Sequence, residues 1–181
     1  MKFIQWKYFP GYNKLVRSFL CEMKKKDLVK YSESLMRTSV YLLTNDRLVS
    51  LIFSIVLEKT NIYDSRSVLK SFDLIGRYLD SLTKEKKLLP QTFNYISFYK
   101  ALKIILEGDF SYSIAKVLAL IYNHYLHFNS EFRRNLTMYL LGKVFFKLFL
   151  NWSYSVRSTF YHLLLLKIDK AADIFNPQNR K

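Results

Sequence analysis

The sequence predicts an all-α protein built as an antiparallel array of about eight helices, and three observations lead to that prediction. Glycine and proline are scarce, with 4 Gly and 3 Pro in 181 residues, whereas a sandwich or barrel needs many turn residues. Apolar residues recur at intervals of three and four along the chain, which is the period of an amphipathic helix. The 14 Tyr and 15 Phe supply enough apolar surface for a packed core, which excludes a disordered chain.

Four helices are predicted in the first half of the chain. Their expected bounds are 12–25, 27–43, 47–59, and 65 to the basic stretch at 84–87. Pro10 and Gly11 precede the first helix, and Ser65 begins the fourth. The third is apolar on nearly every side, which is typical of an internal helix.

Four more helices are predicted in the second half. Their expected bounds are 92–106, 111–126, 131–151 and 153–170. Thr92 and Asn129 are expected to cap the fifth and seventh helices, because a short polar side chain can accept hydrogen bonds from the free N–H groups of a first turn. Gly108 is expected to end the fifth helix.

A Ser-x-Ser pattern followed by a β-branched residue recurs at three predicted helix starts. The copies begin at Ser65, Ser111 and Ser153, spaced by 46 and 42 residues, and HEAT and armadillo repeats have periods of roughly 40 to 47 residues. The serines are expected to cap the helices, and the preceding Phe110 and Trp152 to pack against the first turns. The pattern predicts an armadillo/HEAT-like α-solenoid segment, and convergent capping within a helical bundle is the alternative.

The length predicts one all-helical domain over residues 1–175. It begins with a basic, aromatic lead-in at residues 1–11 and is followed by a polar tail at 176–181. The lead-in lacks the continuous apolar run of a secretory signal. The lone Cys21 is expected to be a small buried residue in a reducing compartment. No transmembrane span is expected, because the one candidate, 136–150, is short and carries two lysines. These features predict a cytoplasmic protein, soluble or peripheral to a membrane.

No constellation of catalytic or metal-binding residues emerges from the sequence. His124 and His127 lie three apart, but their aromatic neighbours favour packed histidines over metal ligands. The four glycines are too far apart to form a phosphate-binding loop. The carboxylates are expected to lie on solvated helix faces, among them Asp64, Asp73, Asp80 and Glu107. We therefore expect no enzymatic activity, no cofactor and no metal.

The chain is strongly basic, with 29 Lys and Arg against 14 Asp and Glu and a net charge of +15. Residues 1–30 hold eight of the cations and two of the acids, interleaved with aromatic residues. This composition fits binding to an anionic surface, either nucleic acid or acidic lipid headgroups. A solvated basic face over an aromatic core is the alternative. The candidate contacts are Lys2, Lys7, Lys14, Lys24, Lys25 and Lys26.

The segment 148–157, Leu-Phe-Leu-Asn-Trp-Ser-Tyr-Ser-Val-Arg, is followed by Phe-Tyr-His-Leu-Leu at 160–164. It resembles the fungal and amoebozoan proteins that carry domain of unknown function 1765. The likeness extends back through residues 133–136 and 110–114, and covers roughly the last 90 residues. The resemblance implies an armadillo-like fold in a eukaryotic cell, a scaffold role and no established catalytic residues. Members are usually longer, so the chain resembles a short version or a fragment of a longer solenoid.

Within this motif, which also contains Ser153 and Val156, the resemblance implies that Trp152 and Phe160 are core anchors. Arg157 is expected to reach the carbonyl ends or an acidic neighbour of the adjacent helical layer. The leading hypothesis is a non-enzymatic helical-repeat scaffold that binds protein partners, whose identity the sequence leaves open. The alternative is a basic peripheral binder of nucleic acid or acidic phospholipid.

Overall fold

The computed structural model describes residues 10–42, 45–84, 89 and 93–168. Every regular element in these ranges is helical: nine α-helices, short 3₁₀ turns and one π-helical turn. The all-α prediction is therefore confirmed. The solenoid arrangement stays a prediction. Thr92, the expected cap of the fifth helix, lies outside the described residues.

The chain divides into two compact units. Unit 1 comprises Met1–Glu85 and Pro90–Asn94, and unit 2 comprises Lys86–Leu89 and Tyr95–Lys181. Each unit contains its own set of buried apolar side chains, as a compact body requires. The expectation of one domain over residues 1–175 stays a prediction.

The described part of unit 1 contains four helices. They are α1 (Tyr12–Lys25), α2 (Glu33–Leu42), α3 (Asp46–Glu58) and α4 (Ser65–Lys84). Its largest fully buried side chains include Phe53, Phe72 and Tyr78. The rings of Phe53 and Tyr78 lie 5.5 Å apart in a tilted arrangement, which is favourable for aromatic pairs. The buried Tyr78 hydroxyl donates to Ser39 Oγ at 2.8 Å, so burial leaves this polar group paired.

The helix predicted over 27–43 is two separate elements. A 3₁₀ turn at Leu28–Lys30 comes first, and α2 begins only at Glu33. Ser32 Oγ accepts a hydrogen bond from the Leu35 N–H at 3.3 Å, which caps the new helix. The buried Tyr31 donates its hydroxyl to the Met23 carbonyl at 2.5 Å, and this bond joins the turn to the end of α1.

Unit 2 contains five helices in its described part. They are α5 (Tyr95–Glu107), α6 (Ser111–His124), α7 (Ser130–Leu141), α8 (Phe145–Phe149) and α9 (Tyr154–Leu163), and a π-helical turn at Leu164–Ile168 follows α9. The central packing is that of α6 against α9. Fully buried side chains from all five helices form the core, including Phe98, Leu118, Leu136, Leu148 and Phe160. Asn129 caps α7 as expected, since its Oδ1 accepts from the Phe132 N–H at 2.7 Å.

The single helix predicted over 131–151 is wrong, because the chain breaks at Gly142. This residue has φ −100° and ψ −94°, outside the helical region. A Cβ at this position would lie 2.9 Å from the Met138 carbonyl oxygen, closer than such contacts allow. The apolar residues on both sides keep the same three-and-four spacing, so the periodicity hides the break.

Lys147 fixes α8 against the end of α5. Its Nζ donates to the carbonyl oxygens of Glu107 and Gly108 at 2.5 and 2.6 Å, and these are carbonyls that a helix C-terminus leaves without a partner. The Glu107 carboxylate, expected to be merely solvated, accepts from the Tyr139 hydroxyl at 2.8 Å and from Lys143 at 2.9 Å. The hydrogen bond from Lys143, followed by that from Tyr139, lowers the pKa of Glu107.

Candidate functional site

The motif at residues 152–160 is divided between core and surface. Phe160 is fully buried, as is Val156, so Phe160 is a core anchor as expected. Trp152 is 79% exposed, and the expectation that it anchors the core is wrong. The physical reason is its position: Trp152 lies in the turn between α8 and α9, outside the two helices that flank it.

Arg157 stabilises the turn between α8 and α9. Its guanidinium donates to the carbonyl oxygen of Asn151, and to that of Trp152 at 3.0 Å. These carbonyls follow the end of α8, where a helix leaves acceptors unsatisfied. Arg157 therefore contacts its own preceding turn, and no acidic neighbour pairs with it in the described part of the chain.

Residues 138–154, called here the aromatic segment, expose seven large apolar side chains. They are Met138, Leu141, Phe146, Phe149, Leu150, Trp152 and Tyr154. On α7, Leu141 follows Met138 by three residues. At α8, Phe149 and Leu150 follow Phe146 by three and four residues, so each helix presents its exposed members on one side. Single exposed apolar residues are ordinary on protein surfaces, whereas a concentration of them is typical of interaction sites.

A second layer of rings supports the exposed ones. Phe145 stacks on Phe149 with ring centres 5.2 Å apart, and it also contacts the buried Phe160 at 5.9 Å. The Tyr161 ring lies 4.9 Å from that of Phe149, and its hydroxyl donates to the Phe149 carbonyl at 2.9 Å. The aromatic segment is thus fixed to the core of unit 2, which lowers the entropy cost of binding.

The stretch of chain that contains the aromatic segment is itself basic. Residues 132–168 contain no Asp or Glu. Their cations are Arg133, Arg134, Lys143, Lys147, Arg157 and Lys167. The carboxylates that neutralise part of this charge come from outside the range: Glu107 pairs with Lys143 at 2.9 Å, and Asp109 with Lys147 at 3.3 Å. A ligand for this segment should therefore carry negative charge.

The basic residues expected to contact an anionic surface lie partly in α1. Lys2 and Lys7 are outside the described residues. Lys14, Lys24 and Lys25 are exposed on α1, and Lys26, which follows it, pairs with Glu22 at 2.6 Å.

Two further residues of α1 complete this surface. Arg17 is exposed beside the lysines, and helical spacing from Lys14 would have identified it. Cys21 is exposed, so its expected burial is wrong: it lies on the polar side of the helix, opposite Val16, Phe19 and Met23, which are buried.

A known family covers most of the described helices. The sequence model of DUF1765, described as a protein of unknown function, matches residues 49–168, about two thirds of the chain. The chain belongs to this family. The match begins in α3, well before the last 90 residues on which the resemblance was based, and it contains the whole aromatic segment. No curated protein and no solved structure matches the chain.

Two histidines of the DUF1765 segment, His124 and His127, lie near each other. His124 is buried, and its ring centre lies 6.3 Å from that of His127. Within the described ranges, no group of three or more His, Cys, Asp or Glu is placed to hold a metal ion. In the same ranges, no helix has the length and apolar character needed to cross a membrane.

The Ser-x-Ser copies do not cap their helices as expected. α4 is capped by Asp64, whose Oδ1 accepts from the Arg66 N–H at 3.0 Å. The residues preceding α6 and α9, Phe110 and Ser153, make no side-chain capping bond. Phe110 is also 63% exposed, so it does not pack against the first turn. The recurring Ser-x-Ser pattern therefore gives no structural support for a repeat.

The second serines of two copies differ in their hydrogen bonds, and this difference predicts opposite stability effects. Ser113→Ala is expected to raise the free energy of unfolding by about 1 kcal/mol, because Ser113 Oγ is buried without a hydrogen-bond partner among the described residues and alanine favours helices. Ser67→Ala is expected to lower it by about 1 kcal/mol, because Ser67 Oγ accepts from the Asn61 N–H at 3.0 Å. Urea unfolding followed by circular dichroism measures the free energy of unfolding of both variants. Changes of equal sign would contradict the difference in hydrogen bonding between Ser67 and Ser113.

Proposed function

We propose that this DUF1765 protein is a non-enzymatic helical adaptor, of the armadillo-like type that the resemblance implies, which binds an acidic protein partner at the aromatic segment. The observation that carries the proposal is the exposure of seven large apolar side chains within residues 138–154. Water contact with so much apolar surface is unfavourable, and a partner that covers it regains that free energy.

The residue types of the segment support a protein partner. Trp152 and Tyr154 are 79% and 75% exposed, and Trp and Tyr are enriched among the residues that contribute most to protein–protein binding. The exposed Phe146 rests on Phe145, with ring centres 5.3 Å apart. Rigid aromatic side chains bury a large area with little loss of rotamer entropy.

The charge pattern specifies the partner's chemistry. Because residues 132–168 carry six cations and no carboxylate, a partner with acidic residues is attracted and a basic one is repelled. An amphipathic helix with apolar residues on one face and acidic residues at its edges meets both requirements. We therefore commit to an acidic, amphipathic protein segment as the occupant.

Site-specific photo-crosslinking in the full chain tests the proposal. A photoreactive amino acid replaces Trp152 in one variant and Ile96 of α5, which is 71% exposed, in the control. In a lysate of cells that naturally produce the protein, the photoreactive residue at position 152 is expected to crosslink a protein that the one at position 96 does not. That protein is then purified and its acidic segment titrated against the chain. Trp152→Ser with Phe146→Ser is expected to weaken binding at least tenfold, about 1.4 kcal/mol. Ile96→Ser with Leu126→Ser, a matched loss of exposed apolar residues, is expected to leave it unchanged.

Several results would overturn the adaptor proposal. They include crosslinking of position 152 to a second copy of the chain alone, equal crosslinking from both positions, and equal affinity of both double variants for the purified partner. A robust hydrolase or transferase activity that disappears on substitution of His124 or His127 would also overturn it.

A further inference from the structure

One side of α1 in unit 1 is a row of cationic side chains. Lys14, Arg17, Lys24 and Lys25 are all exposed, and their spacing places them on the side of the helix opposite the buried residues. At 1.5 Å of rise per residue, the row from Lys14 to Lys25 is about 16 Å long. We call these four residues the basic face of α1.

The charge of the basic face is not compensated by ion pairs in the described part of the chain. The one carboxylate in the sequence of α1 is Glu22, and it pairs with Lys26 at 2.6 Å. In the part of the chain that the structure describes, no carboxylate pairs with any of the four residues of the basic face. A row of four uncompensated cations on one helix attracts a surface of negative charge.

Apolar residues beside the row favour a lipid surface over nucleic acid. Leu15 is 60% exposed on α1, and Val29 in the following turn is 48% exposed. Cationic side chains flanked by exposed aliphatic ones are typical of helices that lie at a membrane surface. Single-stranded nucleic acid, by contrast, stacks its bases on exposed aromatic rings, and both aromatic residues of α1, Tyr12 and Phe19, are buried.

The neighbouring cleft does not select a particular headgroup. Its volume is about 320 Å³, and its charged lining residues are Asp27, Lys30, Lys59, Asp64 and Arg66. Lys30 pairs with Asp27 at 3.5 Å. Lys59 donates to the Lys26 carbonyl at 2.9 Å, and Asp64 caps α4. Because Lys30 and Lys59 already have partners within the protein, and Arg66 shares the lining with two carboxylates, the cleft offers no concentrated positive site for one multiply charged ligand.

We propose that the basic face of α1 binds the surface of a membrane rich in acidic phospholipid, and that it responds to charge density and not to headgroup structure. Each Lys or Arg near such a surface strengthens binding about fivefold. The basic face belongs to unit 1 and the aromatic segment to unit 2, so this proposal and the adaptor proposal succeed or fail separately.

Vesicle co-sedimentation of the full chain tests the lipid proposal. The vesicles contain phosphatidylcholine with about 0, 20 or 40% phosphatidylserine, or phosphatidylglycerol at the same charge density. The face variant carries Lys14→Gln, Arg17→Gln, Lys24→Gln and Lys25→Gln. The control variant removes the same charge outside α1, through Lys70→Gln, Lys84→Gln, Lys100→Gln and Lys103→Gln. Circular dichroism verifies that both variants keep the helical content of the original chain.

Binding is expected to rise with the acidic fraction and to be equal for the two acidic lipids. The face variant is expected to bind at least a hundredfold more weakly, and the control variant less than tenfold more weakly. A fluorophore on Cys21, the lone cysteine, reports directly whether α1 meets the vesicle. Equal losses in the two variants would overturn the proposal. So would a strong preference between the two acidic lipids, or loss of RNA binding in the face variant when no vesicle binds.

Discussion

Phe160→Ala is expected to lower the free energy of unfolding by about 3–5 kcal/mol. The Phe160 side chain is fully buried in unit 2, on the helix that packs against α6. Its ring lies 5.9 Å from that of Phe145, so truncation opens a cavity beneath the aromatic segment. The loss combines the transfer free energy of the ring with the cost of that cavity.

Trp152→Ala serves as the matched control, because tryptophan is even larger than phenylalanine. Since Trp152 is 79% exposed, its loss is expected to change the free energy of unfolding by less than about 1 kcal/mol. Urea unfolding of the full chain, followed by circular dichroism, measures both variants. A cost for Trp152→Ala as large as that for Phe160→Ala would restore the role of Trp152 as a core anchor.

The predicted start of α1 matches the structure, and it carries a strong local signal. The predicted bounds of α1, residues 12–25, are those of the structure. Gly11, just before it, has φ +84°, a backbone conformation that favours glycine. Pro10 cannot extend a helix backwards through this point. Local chemistry thus fixes this boundary without help from tertiary packing.

The boundaries that the sequence misplaces depend on geometry that hydrophobic spacing does not encode. Between Leu141 and Phe145 the chain changes direction at Gly142, yet the apolar residues continue at helical intervals. A lone glycine inside such a pattern is compatible with an unbroken helix. The hydrogen bonds of Lys147 to the end of α5 favour the break, and they join residues about 40 positions apart.

Of the two candidate sites, one could be predicted from the sequence and the other could not. The cations of α1 are predictable because charge and helical spacing are both written in the sequence. The exposure of Phe146, Leu150 and Trp152 is not, because the same apolar pattern is typical of a core helix. Only the short length of α8 and the turn after it place these side chains in solvent.

Alkaline pH is expected to destabilise unit 1 through its buried tyrosines. Burial raises the pKa of Tyr31 to about 12. Burial also raises the pKa of Tyr78, and the hydrogen bond to Ser39 only partly opposes that effect. In the unfolded chain both phenols titrate near pH 10. The folded state therefore retains protons that the unfolded state loses, so stability is complete below about pH 10 and falls as the pH rises toward 12. For Tyr31 alone, the two-unit shift corresponds to about 3 kcal/mol.

Tyr78→Phe tests the contribution of the more deeply buried phenol. The variant keeps the ring against Phe53 but removes the titrating group, so its free energy of unfolding is expected to fall less steeply above about pH 10. At neutral pH it is expected to be about 1 kcal/mol less stable, because Ser39 loses its hydrogen bond from Tyr78. Tyr63→Phe is the control, because Tyr63 is 93% exposed. Every other effect of alkaline pH, including lysine deprotonation, acts equally on the two variants. Urea unfolding at several pH values measures the slopes, and identical slopes for the two variants would show that the buried phenol does not drive alkaline unfolding.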